Sequence, residues 1–256
     1  MQLRNHCCTQ RSVKDVEWVF VVKNQFRMIN LSKLSRAVFS GSMKGHFGQW
    51  AEDVLVRKLF PKNKVNGIYL DLGCYHPFTH SNTAYFWMKG WTGFNVDANP
   101  NTIKLFNKTR PNDCNIWSAI VPKVDYDNGV DEISLLLPYD ADYSNGVAAT
   151  GTVSNEVGSE RGFDNTKIVP AKSISQIISE YKIGEVDYIN LDIEGFDEIV
   201  LKEIDFSTLQ PTVVTVEDYS KSLLELSASG ITKLMGSNNY ELVARAGPTS
   251  IFLKNK

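Results

Sequence analysis

Gly67-Ile68-Tyr69-Leu70-Asp71-Leu72-Gly73 decides the fold. A short apolar run bounded by glycines, too brief for a helix, reads as a strand buried on both faces. It ends on an acid and then a glycine, where the chain must turn. Beyond it the pattern repeats. A helix is expected over residues 81–89 before Gly90, a strand over 93–96, a helix after Asn99-Pro100, and a strand over 114–121. Asn99 is suited to cap that helix and Pro100 to open it. Further on, helix 173–181, strand 186–191, helix 196–204, strand 212–216 and helix 221–229 continue the alternation. Strands 240–244 and 250–253 close it with no helix between them. Such alternation predicts an α/β fold with a mostly parallel sheet, helices on both faces, and an antiparallel hairpin at one edge.

Upstream, a helix over residues 49–60 stops at Pro61, and residues 1–46 are expected to form a separate helical extension before a domain at 47–256. Residues 122–165 are less regular. Ile133–Leu137 reads as a strand, and residues 140–162 are rich in Gly, Ser, Asn and Thr. A loop of that length in a compact domain is usually functional or disordered. Residues 139–152, with Tyr143 and Asn145, are the candidate lid over a binding site.

Composition excludes several classes. With 256 residues, 43% hydrophobic and 22% charged, the chain suits one large globular domain. Residues 1–46 carry eight Lys and Arg against Asp15 and Glu17, a charge of +6; the whole chain is −2, so the rest carries −8. A basic arm on an acidic body is suited to touching phosphate or an anionic membrane surface, although a solvated amphipathic segment is the simpler reading. There is no strong nucleic-acid signal, since no basic stripe with interleaved aromatics runs through the body. The four cysteines form no C-x-x-C pair and suit reduced thiols in a cytoplasmic protein. Residues 1–10 lack the apolar core of a signal peptide, and the apolar stretch 16–22 is too short to cross a bilayer.

In parallel sheets of this kind ligands bind beyond the C-terminal ends of the strands, where strand order reverses. After the first strand come Asp71, Gly73, Tyr75 and His76. A single glycine is present, whereas a dinucleotide site would need G-x-G-x-x-G. After the second strand comes Asp97 in Asn95-Val96-Asp97-Ala98-Asn99-Pro100, 26 positions beyond Asp71. An acid there can hold both ribose hydroxyls of an adenosine, so the pair points to an adenosine ligand without pyrophosphate. Later strand ends offer Asp192 and Glu194, then Glu217. Clustered carboxylates can act as a base, orient a hydroxyl or hold a divalent metal. For a base the residues leave Asp192, Glu194, His76 and His80 open. Asp192 is favoured as base or metal ligand, with Glu217 as the second ligand of any metal. The plain structural alternative is that Asp192 caps the next helix.

These segments together resemble the FkbM family of S-adenosylmethionine-dependent methyltransferases. The resemblance runs from about Gln49 to Glu217. It is carried by Gly48-Gln49-Trp50-Ala51-Glu52-Asp53, by Asp71 to Phe78 with Ser81-Asn82-Thr83, by Gly90-Trp91 to Pro100, and by Asp187 to Gly195. The family commonly has Glu where this chain has Asp97, which shortens the reach by one methylene. The resemblance implies a Rossmann-like class I methyltransferase fold with a seven-stranded sheet, and S-adenosylmethionine held by Asp71, Gly73, Tyr75, Ser81, Asn82, Thr83, Asp97, Ala98 and Asp192. It also implies O-methylation, often of sugars or secondary metabolites, so the expected acceptor is a hydroxyl on a carbohydrate or other small molecule. Three other readings stay open: an RNA or protein methyltransferase, a membrane-associated enzyme acting on a lipid-linked glycan, and a non-catalytic binding protein.

Overall fold

The computed structural model describes residues 45–137, 152–153, 159–160, 162, 165–193 and 195–256, and the strand backbones of 18–22 and 25–29. The chain divides into two compact units, residues 1–45 and 46–256. In the first, β1 (Trp18–Val22) and β2 (Gln25–Ile29) pair antiparallel, Trp18 opposite Ile29. This corrects the expected helical extension at those residues. Trp18-Val19-Phe20-Val21-Val22 is aromatic and β-branched throughout, which favours a pleated strand over a helix.

The second unit is built on a seven-stranded sheet in the order β11-β12-β10-β9-β3-β4-β5. These strands are β3 (Ile68–Leu72), β4 (Thr92–Asp97), β5 (Cys114–Trp117), β9 (Tyr188–Leu191), β10 (Val213–Glu217), β11 (Tyr240–Ala246) and β12 (Thr249–Lys254). Strands β5, β4, β3, β9 and β10 run parallel, and β12 lies antiparallel between β10 and β11. The fold is therefore Rossmann-like, with the expected antiparallel hairpin, and its order reverses between β3 and β9. The helices are α1 (Glu52–Leu59), α2 (Ala84–Met88), α3 (Pro100–Thr109), α4 (Lys123–Asp127), α5 (Ile174–Glu180), α6 (Asp197–Glu203), α7 (Phe206–Leu209), α8 (Leu223–Ser227) and α9 (Gly230–Ser237). Asn99 caps α3 as its sequence requires, its side chain accepting the Asn101 amide at 3.0 Å, with Pro100 in the first turn.

Two cores cover the two faces of the sheet. Leu70, Leu72, Ile189, Leu191, Val214 and Val216 face α5, α6 and α9 through Ile174, Ile177, Val200, Leu201, Ile231 and Met235. On the other face Tyr69, Tyr188 and Val213 meet Val56 of α1, Phe86 of α2, and Trp91. The expected strand 114–121 breaks at Ser118. Beyond it β6 (Ala119–Ile120) joins a second sheet of order β6-β8-β7, with β7 (Glu132–Leu137) and β8 (Asn165–Lys172). Among the described residues, no helix is long and apolar enough to cross a membrane.

Candidate active site

The site begins where β3 ends. Gly73 turns at φ +82°, and its amide donates to the Val96 carbonyl at 2.9 Å. A Cβ at this position would collide with the Asp192 carbonyl oxygen. Only glycine lets the turn after β3 touch the chain leaving β9, and this happens where the strand order reverses.

Behind the turn, a row of polar side chains crosses the sheet. Thr215, Asn190, Asp71, Asn95 and Asn115 are successive register partners on β10, β9, β3, β4 and β5, so they share one face. Asn190 Nδ2 donates to Asp71 Oδ1 at 2.9 Å, and Thr215 Oγ1 donates to Asn190 Oδ1 at 2.8 Å. Thr83 Oγ1 donates to the other Asp71 oxygen at 2.6 Å, and Asn82 Nδ2 donates to Asn190 Oδ1 at 3.0 Å. Burial raises the Asp71 carboxyl above its usual range, against the hydrogen bonds from Thr83 and Asn190 that favour the charged form. Ser81 and Asn82 line the cleft above this row, whereas Thr83 is wholly buried behind Asp71.

Arg110 holds the arrangement from below. Its side chain is 0% exposed. It donates to Thr83 Oγ1 at 2.9 Å, Ser81 Oγ at 3.1 Å, Tyr69 Oη at 3.3 Å and the Pro77 carbonyl. Tyr69 Oη in turn donates to Asp113, whose carboxylate also accepts the Gly93 amide and Asn95 Nδ2. A buried guanidinium is tolerated only with such partners. It ties the loop after β3 to the strands below.

Asp97 stands at the end of β4, half-buried in the cleft wall beside Ala98. Its Oδ2 accepts the Tyr75 amide at 2.9 Å and its Oδ1 the Asn99 amide at 2.7 Å. Burial pushes this carboxyl up to about 6, against those two amide bonds and with help from the Asp71 charge. Tyr75 and His80 both adopt positive φ, and their rings stack at 6.0 Å along the cleft. Cys74 lines the cleft as well. Burial, then the charges of Asp97 and Asp71, raise its thiol well above the usual range, so it stays protonated and unreactive.

The later strand ends contribute Asp192 and Glu217, which line the same cleft. Asp197, the first residue of α6, accepts the amides of Ile193 and Gly195 and so braces the turn leading into the helix, whose N-cap position is Phe196 and not Asp192. His76 is placed otherwise than in the chemistry expected for it. Its Nδ1 accepts the amides of Phe78 and Thr79, so it braces the loop, and it is not among the residues lining the cleft. Glu194 and the candidate lid with Tyr143 and Asn145 lie outside the described residues. Among the described residues, no group of three or more His, Cys, Asp or Glu side chains is arranged to hold a metal ion.

The cleft encloses about 660 Å³. Part of its lining carries no signature at the level of sequence. Ser118, Ala119 and Ile120 enter at the crossing between the two sheets, Leu135 comes from β7, and Thr249 follows the turn into β12. Glu52, the first residue of α1, is buried there and accepts the Trp50 amide at 2.7 Å.

Comparison with known families gives the decisive observation: the family described as Methyltransferase FkbM domain matches residues 71–242. The chain belongs to that family. Asp71, Gly73, Asp97, Asp192 and Glu217 of this FkbM methyltransferase lie within the matched residues. The matched region begins later than the resemblance in the sequence suggested, so Gly48 to Asp53 fall outside it, and it continues past Glu217 to Leu242. Among solved structures, a TehB-like SAM-dependent methyltransferase from Corynebacterium glutamicum is similar over 88% of this chain and 96% of that chain, at 12% identity and a TM-score of 0.39. No curated protein matches the FkbM methyltransferase.

Proposed function

We propose that this methyltransferase uses S-adenosylmethionine to methylate a hydroxyl, most simply one on a sugar or glycan, in the cytoplasm. The observation that carries the reading is the contact of the Gly73 turn with the Asp192 backbone carbonyl, because it brings the loop after β3 against the end of β9 in the cleft that both residues line.

The residues fit an adenosine-type cofactor. Each oxygen of Asp97 accepts one backbone amide, and a carboxylate has about four acceptor positions, so capacity is left for two ribose hydroxyls. Gly73 removes the side chain that would block close approach, and Asp71, Ser81 and Asn82 supply polar groups beside it. The volume falls within the roughly 300–1,000 Å³ common for such clefts. When bound, S-adenosylmethionine supplies an electrophilic methyl group on a sulfonium. The protein must hold the acceptor oxygen in line and take its proton. Asp192 is the proposed base, with Glu217 orienting the hydroxyl. A positioned base contributes roughly 10²–10⁴-fold.

The test is release of S-adenosylhomocysteine from S-adenosylmethionine in the presence of a panel of methyl glycosides. Turnover dependent on a glycoside is expected. Asp192→Ala is expected to bind S-adenosylhomocysteine as the parent does while losing about 10²–10⁴-fold in kcat. Unchanged turnover overturns the role of Asp192, and failure of the parent to bind S-adenosylhomocysteine overturns the cofactor assignment.

A further inference from the structure

We infer that Trp50 and Tyr219 form an aromatic platform on the rim of the cleft, on which a pyranose ring of the acceptor stacks. The inference rests on the hydroxyl-methylating function proposed above and names the substrate class and the subsite.

Both residues line the cleft, yet Trp50 is 56% and Tyr219 64% exposed. Two large aromatic rings exposed at the rim of one cleft offer apolar surface to a ligand there. What distinguishes these two is how firmly their backbones are held. The indole of Trp50 packs on the turn between β11 and β12, where a Cβ on Gly247 would fall within 2.5 Å of Trp50 Cγ. The Trp50 amide is fixed on Glu52 Oε2 at 2.7 Å. Tyr219 lies two residues beyond the end of β10, and the residues on either side of it are pinned. The Asp218 amide donates to the Pro248 carbonyl at 2.9 Å. Arg245 Nη2 donates to the carbonyls of Asp218 at 2.9 Å and Ser220 at 2.7 Å. The same guanidinium reaches the Gly247 carbonyl through Nε at 2.8 Å. Arg245 thus straps the loop carrying Tyr219 to the turn on which Trp50 rests. Groups fixed in advance lose little entropy when a ligand arrives.

The neighbouring chemistry selects the ligand. Glu52, Asp192 and Glu217 line the same cleft as the two rings. A pyranose presents an apolar C–H face to an aromatic ring and a rim of hydroxyl donors to carboxylates. A planar aromatic acceptor would stack equally well but would bring fewer hydroxyl donors to these carboxylates, each of which has about four acceptor positions. The platform therefore suits a carbohydrate.

The test uses the full chain with S-adenosylhomocysteine present. The probes are methyl α-L-rhamnopyranoside, methyl α-D-mannopyranoside and methyl β-D-glucopyranoside, with catechol as the planar competitor. Saturation-transfer NMR is expected to show at least one pyranoside bound through the C–H protons of one face. Trp50→Ala and Tyr219→Ala are each expected to weaken its binding about tenfold, with S-adenosylhomocysteine affinity unchanged and with Trp50→Phe restoring most of the loss. Because Trp50 also packs on Gly247, Tyr219→Ala carries the test should the Trp50 variant unfold. Binding of catechol but no pyranoside overturns the platform, as does parental pyranoside binding in the Tyr219→Ala variant. Sugar methylation with a parental KM in both alanine variants overturns the platform and leaves the proposed function standing. Failure of the parent to bind S-adenosylhomocysteine overturns the proposed function, while pyranoside binding still decides the platform.

Discussion

The two faces of the central sheet come from the same short strands and are chemically unlike. One presents Leu70, Leu72, Ile189, Leu191, Val214 and Val216 to the helices behind it. The other presents Tyr69, Asp71, Tyr188, Asn190 and Thr215, with hydroxyls, amides and a carboxylate joined by hydrogen bonds. Since alternate residues of a strand point to opposite sides, each strand can support the fold with one set of side chains and the site with the other. The aliphatic face should therefore govern stability alone, and the polar face both stability and ligand binding.

Substitutions can break that division. The largest loss is expected from Arg110→Met. It leaves the acceptors around Thr83, Ser81 and Pro77 without their buried cation, and breaking such a network costs about 3–5 kcal/mol. Urea melts give the loss, and calorimetry on the folded fraction should show weakened S-adenosylhomocysteine binding. On the aliphatic face, Leu70→Ala should cost about 2–5 kcal/mol while leaving that affinity intact; a matching loss of affinity would erase the distinction between the faces. Thr215→Val removes the hydroxyl that serves Asn190 and Tyr188, for about 1–3 kcal/mol.

The smallest effect is one of pH. The Asp97 carboxyl lies at about 6 rather than 3.8, so the folded chain holds its proton to higher pH than the unfolded chain. Its contribution to stability is greatest below the unfolded value and falls as pH rises through about 6. Ligand affinity should move the other way, because the ionised carboxylate is the better hydroxyl acceptor. S-adenosylhomocysteine binding is expected to weaken about tenfold from pH 7 to pH 5, and Asp97→Asn should flatten the profile. A flat profile in the parent protein would remove Asp97 from the ligand's contacts.

Much of the fold was legible because the signals are local. The strand around Asp71, the Asn99-Pro100 helix start and the closing hairpin each depend on neighbours a few residues away. Legibility fails where distant partners decide. Arg110 follows a helix end and reads as a surface charge, yet its partners lie 27 to 41 positions away. Pro170 argues against a central strand, but β6 pairs only with Ala171 and Lys172, so its missing amide is tolerated. The helix expected over 221–229 ends at Ser227, and Ser229 caps a second helix by accepting the Thr232 amide. The site shows the same split. Asp71, Gly73 and Asp97 can be found from their positions at strand ends. The Trp50 and Gly247 contact joins opposite ends of the domain and has no sequence signature.

The row from Thr215 to Asn115 also acts as an alignment key during folding. Parallel strands made only of valine, leucine and isoleucine would pair almost as well after sliding, since few positions differ enough to penalise the wrong match. Here a shift of one residue would drive Asp71 and Asn190 into the aliphatic core and strip them of each other. The residues that furnish the site thus also tell the strands where to stop sliding past one another.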